Sequence, residues 1–578
     1  MIQRVRTFLR GLAVVLLTLV AVKNLVFALP FRWSRQVEVA YEITFDPYYV
    51  ALRRVVSFLL GLVMLFLVRR LWKRVRMAWV IEVGALTTIL VIRLLRSSHF
   101  RMPIIIIIEA ILLVILLVTH NDYHRKAERI SFQRAGLLVG AIFAIVLGNS
   151  TIGMYMMRGH WEQESKGLLG AFGDSLVMLI GWSPPAVPIN ALGETYLLFL
   201  RIVSWLCLAA AIALLVKPAV FSPNITVADQ ARVRELVLKY GQNPLAYLAL
   251  EPDKKYFFST RCEGFCAYTI ANEVFVICGD VVCADEDAPI LIDEIRQYCQ
   301  WNAYRILMIN ITDRFRDAYE QAGFKTVKMG EDACFDLTQF TLSGPKIQKV
   351  RAAINFATRA GITVTEYKPL ESRDEQVEEQ ISDITKEWLK SKGGYEMHFS
   401  VGSVSLKNPL DRRYFYAADE AGQILGYVVF VPYNDGYLAD VTRRRSTAPQ
   451  GVLEKTVCES FLKLKQEGVG WANLGLSPLY NLTESSQVEP RGSRFAEKLM
   501  NYVYNNLNGV YGFKQLHHAK RKFNPSDWTP RFLAYHPRSF ATQTALALVK
   551  SQMKTPLTKI LLAQLPSRSK KELAVQAN

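Results

Sequence analysis

The sequence predicts an α-helical transmembrane bundle followed by a tandem pair of α/β units. Long apolar runs are confined to residues before about Val216, strand and helix patterns alternate after Lys217, and that alternation recurs once at similar size. The expected division is a membrane domain over 1–220, α/β units over 224–345 and 346–540, and an amphipathic tail over 541–578.

Six stretches approach the roughly 20 residues needed to cross hydrocarbon: Phe8–Leu29, Val50–Val68, Met77–Leu95, Pro103–Val118, Ala135–Met157 and Tyr196–Val216. The first is too long for a signal peptide and lacks a small-residue cleavage site, so it reads as an anchor. The basic loops Arg69–Arg76 and His124–Arg129 fall on one side together with the N-terminus and everything after Lys217, which makes that side cytoplasmic. Arg93–Arg101 is the discordant loop, and it fits a re-entrant hairpin of the third and fourth spans. The net charge of +18 points to polyanionic partners such as RNA or anionic lipid.

Beyond the membrane region, Thr226 and Asp229 form a capping box for a helix over TVADQARVRELVLKYG. DKKYFFS and CAYTIANEVFVICGDVV read as strands, the second folding back at an Ala-Asn turn. A helix over DAPILIDEIRQYCQWNA, a strand over YRILMINI and a helix ending at Gly323 complete the first unit. The second repeats the order: helix KIQKVRAAINFATRAG, strand ITVTEYKP, helix EEQISDITKEWLKSKGG, three strands through ADVTR, helix GVLEKTVCESFLKLKQEG and strand WANLGLSPL. This order suggests a duplicated acyltransferase-like domain. Seven of the eight cysteines lie in this part, and Cys262, Cys266, Cys278 and Cys283 read as small buried strand residues rather than a metal site. The tail SFATQTALALVKSQMKTPLTKILLAQL suits either the membrane surface or packing on the domain.

Three segments carry candidate chemistry. In ADVTRRRSTAPQG, Asp440 and Arg443 close a central strand just before a helix expected near Pro449, where both side chains could turn into one cleft; the bland reading is a surface ion pair. NLGLSPL runs into a Pro turn, with Asn473 and Ser477 as candidate substrate contacts or simply core strand. YGFKQLHHAKRKFNPSDW combines Lys514, Lys520, Arg521 and Lys522 with Tyr511 and Phe513, as in a phosphate patch with stacking rings, or else it is a solvated helix face. Adjacent His517 and His518 cannot chelate as an i,i+4 pair, and no third ligand accompanies them, so no metal is expected. No cofactor is expected either: RGSRFAEKL lacks the glycine spacing of a coenzyme A pyrophosphate loop, and no Walker or dinucleotide loop occurs.

Together, the stretches Lys328–Gly361, ISDITKEWL, EMHFSVG, DVTR, NLGLSPL and YGFKQLHHAKRKFNPSDWTPRFLAY resemble the phosphatidylglycerol lysyltransferase family, also called lysylphosphatidylglycerol synthases, across roughly Asn224–Pro537. The resemblance implies tandem acetyltransferase-like (GNAT) domains on the cytoplasmic face of a bacterial membrane. They would move an amino acid, lysine first among lysine, alanine and arginine, from aminoacyl-tRNA to the glycerol hydroxyl of phosphatidylglycerol. The aminoacyl-lipid lowers negative surface charge and repels cationic antimicrobial peptides. It also implies the lipid bilayer as partner and a separate flippase, since this chain has no room for the family's flippase block. Carried over by position, the family's D-x-x-R motif falls on Asp440 and Arg443, and its basic element on Lys520 and Lys522. At Gln515, His517 and His518 the chain departs from the family's glycine and arginines. Competing readings are a membrane-tethered lipid- or RNA-binding protein with an inactive transferase fold, and a peptidoglycan-bridge-type aminoacyltransferase.

Overall fold

The computed structural model describes residues 2–28, 64–68, 70–96, 104–123, scattered residues from 140 to 196, and 225–391, 398–478, 513–539 and 542–552. The chain forms two compact units, Met1–Phe221 and Ser222–Asn578.

The first unit contains α1 (Ile2–Ala28), α2 (Arg76–Arg96), α3 (Ile104–Val118) and α4 (Gly167–Ile180). Of α1, only side chains 8–22 are described; there Ala13, Leu17 and Ala21 pack at helical spacing into a cluster with Leu71, Leu86 and Leu112. Among the described residues, no helix is long and apolar enough to cross a membrane. All but Tyr196 of the expected sixth span lies outside the described residues, as do most of the second and part of the fifth. Helix α4 falls in none of the expected spans.

The second unit runs through α5 (Val227–Tyr240), a 3-10 turn (Ala246–Leu250), β1 (Lys255–Phe258), β2 (Gly264–Ala271), β3 (Val274–Cys278), β4 (Val282–Cys283), α6 (Ala288–Trp301), β5 (Arg305–Ile311), α7 (Arg316–Gln321) and β6 (Lys325–Asp336). It continues with α8 (Gln348–Arg359), β7 (Thr363–Tyr367), α9 (Glu375–Ser391), β8 (Arg413–Ala418), β9 (Ile424–Tyr433), β10 (Gly436–Arg444), α10 (Val452–Gln466), β11 (Trp471–Pro478), α11 (Phe513–Arg521), β12 (Asp527–His536) and α12 (Thr542–Gln552).

Local chemistry sets many of these boundaries. The capping box opens α5: Asp229 N–H donates to Thr226 Oγ1 at 3.1 Å, and Thr226 N–H donates to Asp229 Oδ2 at 2.9 Å. The β2–β3 hairpin turns one residue later than expected, on Asn272 and Glu273, whose φ values of 48° and 63° match the right-handed strand twist. Gly451 caps α10 at φ 91°, where a Cβ would stand 1.9 Å from the Ala353 carbonyl oxygen, so only glycine fits.

All the strands form one sheet in the order β1-β2-β3-β5-β12-β6-β11-β10-β9-β8-β7, with β4 beside β2. The halves expected as consecutive domains therefore interlock. Strand β12, late in the chain, lies between β5 and β6 of the first half, and β6 lies between β12 and β11 of the second. Each half's last strand completes the other's sheet. Leu533 of β12 joins a core cluster containing Leu307 and Val276 from one half and Val431 and Leu438 from the other.

The tail helix α12 packs on β2 and β3, with Ala547 fully buried, so the part of the tail that is described covers the sheet. Leu533 is 1 % exposed, and truncating it opens a shared cavity. L533A should cost about 2–5 kcal/mol and lower both halves together. Urea unfolding followed by fluorescence should show one shifted transition for this unit rather than two.

Candidate functional site: a cleft where two parallel strands part

Strands β10 and β11 run parallel only from Gly436–Leu438 opposite Trp471–Asn473. Beyond that they separate. On β10 the register against β9 shifts between Ala439 and Val441, leaving Asp440 as the extra residue of a bulge. On β11 the register against β6 shifts between Asn473 and Leu476, around Gly475 at φ 78°. The gap is a cavity of ≈ 480 Å³, within the range that holds small ligands. Its walls are mainly apolar, six of the lining residues being leucine, and the polar contributions come from Asp440, Lys520, Asp332, Asn310, Glu454, Ser400 and Thr442.

Asp440 is held by one bond: Gly402 N–H donates to its Oδ1 at 2.9 Å. Its Oδ2 is buried and has no hydrogen-bond partner among the described residues. Burial pushes the carboxyl up to about 6; the Gly402 N–H opposes this, Glu251 adds to it, and Arg412 and Lys254 oppose it. Gly402 is sterically required, because a Cβ there would stand 2.0 Å from Asp440 Oδ2.

Lys520 projects from α11 into the same cleft. Its Nζ donates to the carbonyls of Gly475 and Leu476, each at 2.8 Å. Burial pulls its ammonium down to about 8, against the pull of Asp332. Asp332 Oδ2 accepts from Asn473 Nδ2 at 2.9 Å and from Arg531 Nε and Nη2 at 2.9 and 2.8 Å. Its Oδ1, like Asn310 Oδ1, is a buried acceptor without a partner among the described residues. Unsatisfied buried acceptors facing one cleft mark it as built for an occupant that donates hydrogen bonds.

The structure separates the two ends of the D-x-x-R motif. Past the bulge, Val441 packs with Ile381 and Ile384 of α9. Arg443 shares that face, is buried, and sets its guanidinium carbon 4.6 Å from the centroid of the Trp388 ring. The expectation that both side chains turn into one cleft is corrected: only Asp440 does. Asn473 lies behind the wall, orienting Asp332 and accepting from Gly475 N–H at 2.6 Å. Ser477 is fully buried and off the cleft wall.

The basic stretch resolves into a helix with one working stripe. Leu516, Ala519, Lys520 and Phe523 line the cleft at i, i+3, i+4 and i+7, while His518 and Arg521 are exposed. Lys522 is half-buried and off the cleft wall, which corrects its pairing with Lys520. Tyr511 lies outside the described residues, as do the side chains of Phe513 and Lys514. His517 is buried with its ring stacked 4.2 Å from Trp528, and burial pulls its pKa down. Among the described residues no group of three His, Cys, Asp or Glu is placed to hold a metal.

Sequence reasoning missed Asp332 and Arg531, which sit in strands it did not assign, and the pair Glu251–Arg412 behind Asp440. Gly402 drew notice only within EMHFSVG. A glycine in an otherwise ordinary loop is the one signal that pointed there.

Two parallel central strands that part over a helix start, in a sheet of this order, place the Ser222–Asn578 unit in the acetyltransferase-like α/β class. The sequence profile described as phosphatidylglycerol lysyltransferase, C-terminal, matches residues 234–535, more than half the chain, and the chain belongs to that family. It is similar to the phosphatidylglycerol lysyltransferase of Staphylococcus xylosus, 28% identical over 313 residues, covering 53% of this chain and 35% of that one. The Staphylococcus aureus (strain COL) phosphatidylglycerol lysyltransferase is 28% identical over 305 residues, covering 52% and 35%. The solved L-PGS of Bacillus licheniformis aligns with TM-score 0.49 and 23% identity over 57% of this chain and 97% of that one. The match thus spans little more than a third of the curated relatives' length.

Asp440 titrates in the folded protein at about 6 against an ordinary 3.8. A raised carboxyl value favours the folded state while the group is protonated. That contribution is complete below about pH 4 and is lost as pH rises through about 6, a swing of about 3 kcal/mol. D440N cannot ionise and keeps an oxygen for Gly402 N–H. It should therefore melt above wild type at pH 8 and level with it at pH 4 in thermal scans. G402A, in contrast, should displace Asp440 and lower stability at every pH in the same scans.

Proposed function

We propose that this chain transfers an aminoacyl group, lysyl in the first instance, from aminoacyl-tRNA to the glycerol hydroxyl of phosphatidylglycerol. The observation that carries the reading is Asp440 Oδ2, buried and without a partner among the described residues, on the wall of a mainly apolar cleft. The names of the matched relatives support a lysyl group as cargo and phosphatidylglycerol as acceptor. The donor is an activated ester, so catalysis needs alignment and a proton acceptor more than covalent help.

Asp440 holds the donor's amino group and takes the proton as the glycerol oxygen bonds to the ester carbonyl carbon. When the tetrahedral intermediate collapses, the C–O bond to the tRNA ribose breaks and the leaving oxygen takes that proton back. A carboxyl raised to about 6 is mainly ionised at neutral pH yet more basic than a surface aspartate. Lys520 presents its charge to a phosphate of the lipid or of the tRNA acceptor end. Arg443, stacked on Trp388, supports the bulged strand from the opposite face. Glu454, in the first turn of α10 and on the cleft wall, places a carboxylate where a helix N-terminus would otherwise favour a pyrophosphate. That supports a donor other than coenzyme A.

The apolar helices of the first unit support a multi-pass bacterial membrane location, with the α/β unit in the cytoplasm where tRNA and inner-leaflet lipid meet. The aminoacyl-lipid would then be exported by a separate flippase and lower the surface's affinity for cationic peptides.

Expression in a bacterium lacking aminoacyl-lipids, followed by lipid mass spectrometry, tests this. A phosphatidylglycerol species heavier by one lysyl residue is expected. D440N should reduce it by a factor of about 10² or more, and K520M by about tenfold or more. Absence of any new aminoacyl-lipid from wild-type protein of normal abundance would sink the proposal and favour a binding module.

A further inference from the structure

Asp440 is held by a segment of its own half, residues 398–412, and that segment is anchored on the other half. Glu251, at the end of the 3-10 turn, is buried and uses both carboxylate oxygens on it. Oε1 accepts from Arg412 Nη2 at 2.7 Å and from Ser403 N–H at 3.1 Å, and Oε2 accepts from Ser403 Oγ at 2.8 Å. The residue before Ser403 is Gly402, the donor to Asp440 Oδ1. Further anchors tie down the same segment. Arg234 and Tyr247 of the first half hold Asp411, with Arg234 Nε donating to its Oδ2 at 2.8 Å and Tyr247 OH at 3.2 Å. The Cys278 thiol donates to the Phe399 carbonyl at 3.1 Å, and Lys254 Nζ lies 4.6 Å from the centroid of the Phe399 ring.

We infer that Glu251 is a positioning residue for Asp440, aiming its Oδ2 into the cleft through the chain Glu251–Ser403–Gly402. The inference rests on the reading that Asp440 serves the chemistry of this cleft. A plain ion pair with Arg412 would need neither the second oxygen on Ser403 nor a connection that ends one residue later on the cleft carboxylate. Glu251 also contributes its own charge. The groups facing Asp440 from behind are Glu251 and Arg412, Lys254 with its partner Asp253, and the Cys278 thiol of β3, while Lys520, Asp332 and Glu454 share the cleft wall with it. His398 Nδ1 stands 3.5 Å from Asp253 Oδ2 behind them. Removing the Glu251 charge takes away a like-charge neighbour and leaves Arg412 and Lys254 less opposed, so the Asp440 carboxyl must ionise at lower pH.

The test uses the full-length protein in detergent as wild type, D440N, E251Q and the double variant E251Q/D440N, melted from pH 4 to pH 8. In the wild-type background the gain from D440N should grow from about pH 4 and level off near pH 6; in the E251Q background it should level off roughly half a unit lower or more, at a correspondingly smaller gain. This readout needs no catalysis, and a merely structural role would not move it. S403A leaves the Glu251–Arg412 pair intact and loses one hydrogen bond, so it tests the connection even if E251Q folds poorly. For S403A, kcat for lysyl transfer should fall about threefold to tenfold with KM for the aminoacyl donor unchanged. An unshifted level-off in E251Q together with wild-type kcat in S403A would overturn the inference. A level-off at lower pH and a reduced kcat in S403A would uphold it, and a level-off at lower pH with fully active D440N would overturn the catalytic reading of Asp440.

Discussion

The exchange of strands β6 and β12 is the constraint on which the rest of the Ser222–Asn578 unit depends. The two pair antiparallel from Asp527 opposite Cys334 to Tyr535 opposite Lys325 at the centre of the sheet. Across this seam, Asp332 of β6 binds Arg531 of β12, both nearly fully buried, and Asn473 of β11 donates to the same carboxylate. Removing one partner of such a pair leaves a bare buried charge, at a cost of about 3–5 kcal/mol. Neither half can therefore be drawn away without exposing a charge and two central strands. The exchange also carries the first half's Asp332 into the wall of the second half's cleft.

The two halves contain the same strand divergence and treat it differently. In the first, β3 and β5 run parallel from Val274 opposite Arg305 to Cys278 opposite Ile309, and the space beyond is filled. There the Asp280 Oδ2 accepts from Asn243 Nδ2 at 2.8 Å, and from Thr312 N–H and Oγ1 at 2.9 and 2.7 Å. Tyr319 OH donates to Oδ1 at 3.3 Å. Burial raises the Asp280 carboxyl as it does that of Asp440, but four donors occupy it. In the second half the equivalent space is the open cleft, where Asp440 has one donor and an oxygen to spare. The same topology thus yields a keystone on one side and a site on the other. What separates them is how many local donors reach the buried acid.

Legibility from sequence follows the same line. The capping box at Thr226 and Asp229, the amphipathic helices and the largely buried apolar strands β8–β10 were readable because local chemistry and burial agree there. Strands β6 and β12 were not. Gly330, Glu331 and Asp332 interrupt one, and Pro530 and Arg531 the other, which are residues that argue against a central strand. Those same residues form the seam beside the cleft, so the local rule fails where the site is built. The bulge at Asp440 is equally silent in sequence, and it decides that Asp440 faces the cleft while Arg443 stacks on Trp388. The basic stretch looked like a broad cationic patch because composition cannot show which face of α11 turns inward.

Burying a carboxylate and an ammonium in a mainly apolar cleft is costly, and the fold's arrangement shows how that cost is offset. Lys520 is not paired directly with Asp440. It is tied to two backbone carbonyls and feels Asp332, while Asp440 is tied to one backbone N–H and feels Glu251. Direct pairing of the two would have neutralised both and closed the gap between β10 and β11. Kept unpaired in the same cleft, each retains bonding capacity not used by its backbone partners, and each is fixed by backbone that the interlocked sheet cannot easily move. For a transfer between an ester already activated and a hydroxyl that must lose a proton, that is the demanding requirement: a poised acceptor and a fixed charge, each held in place beside one cleft.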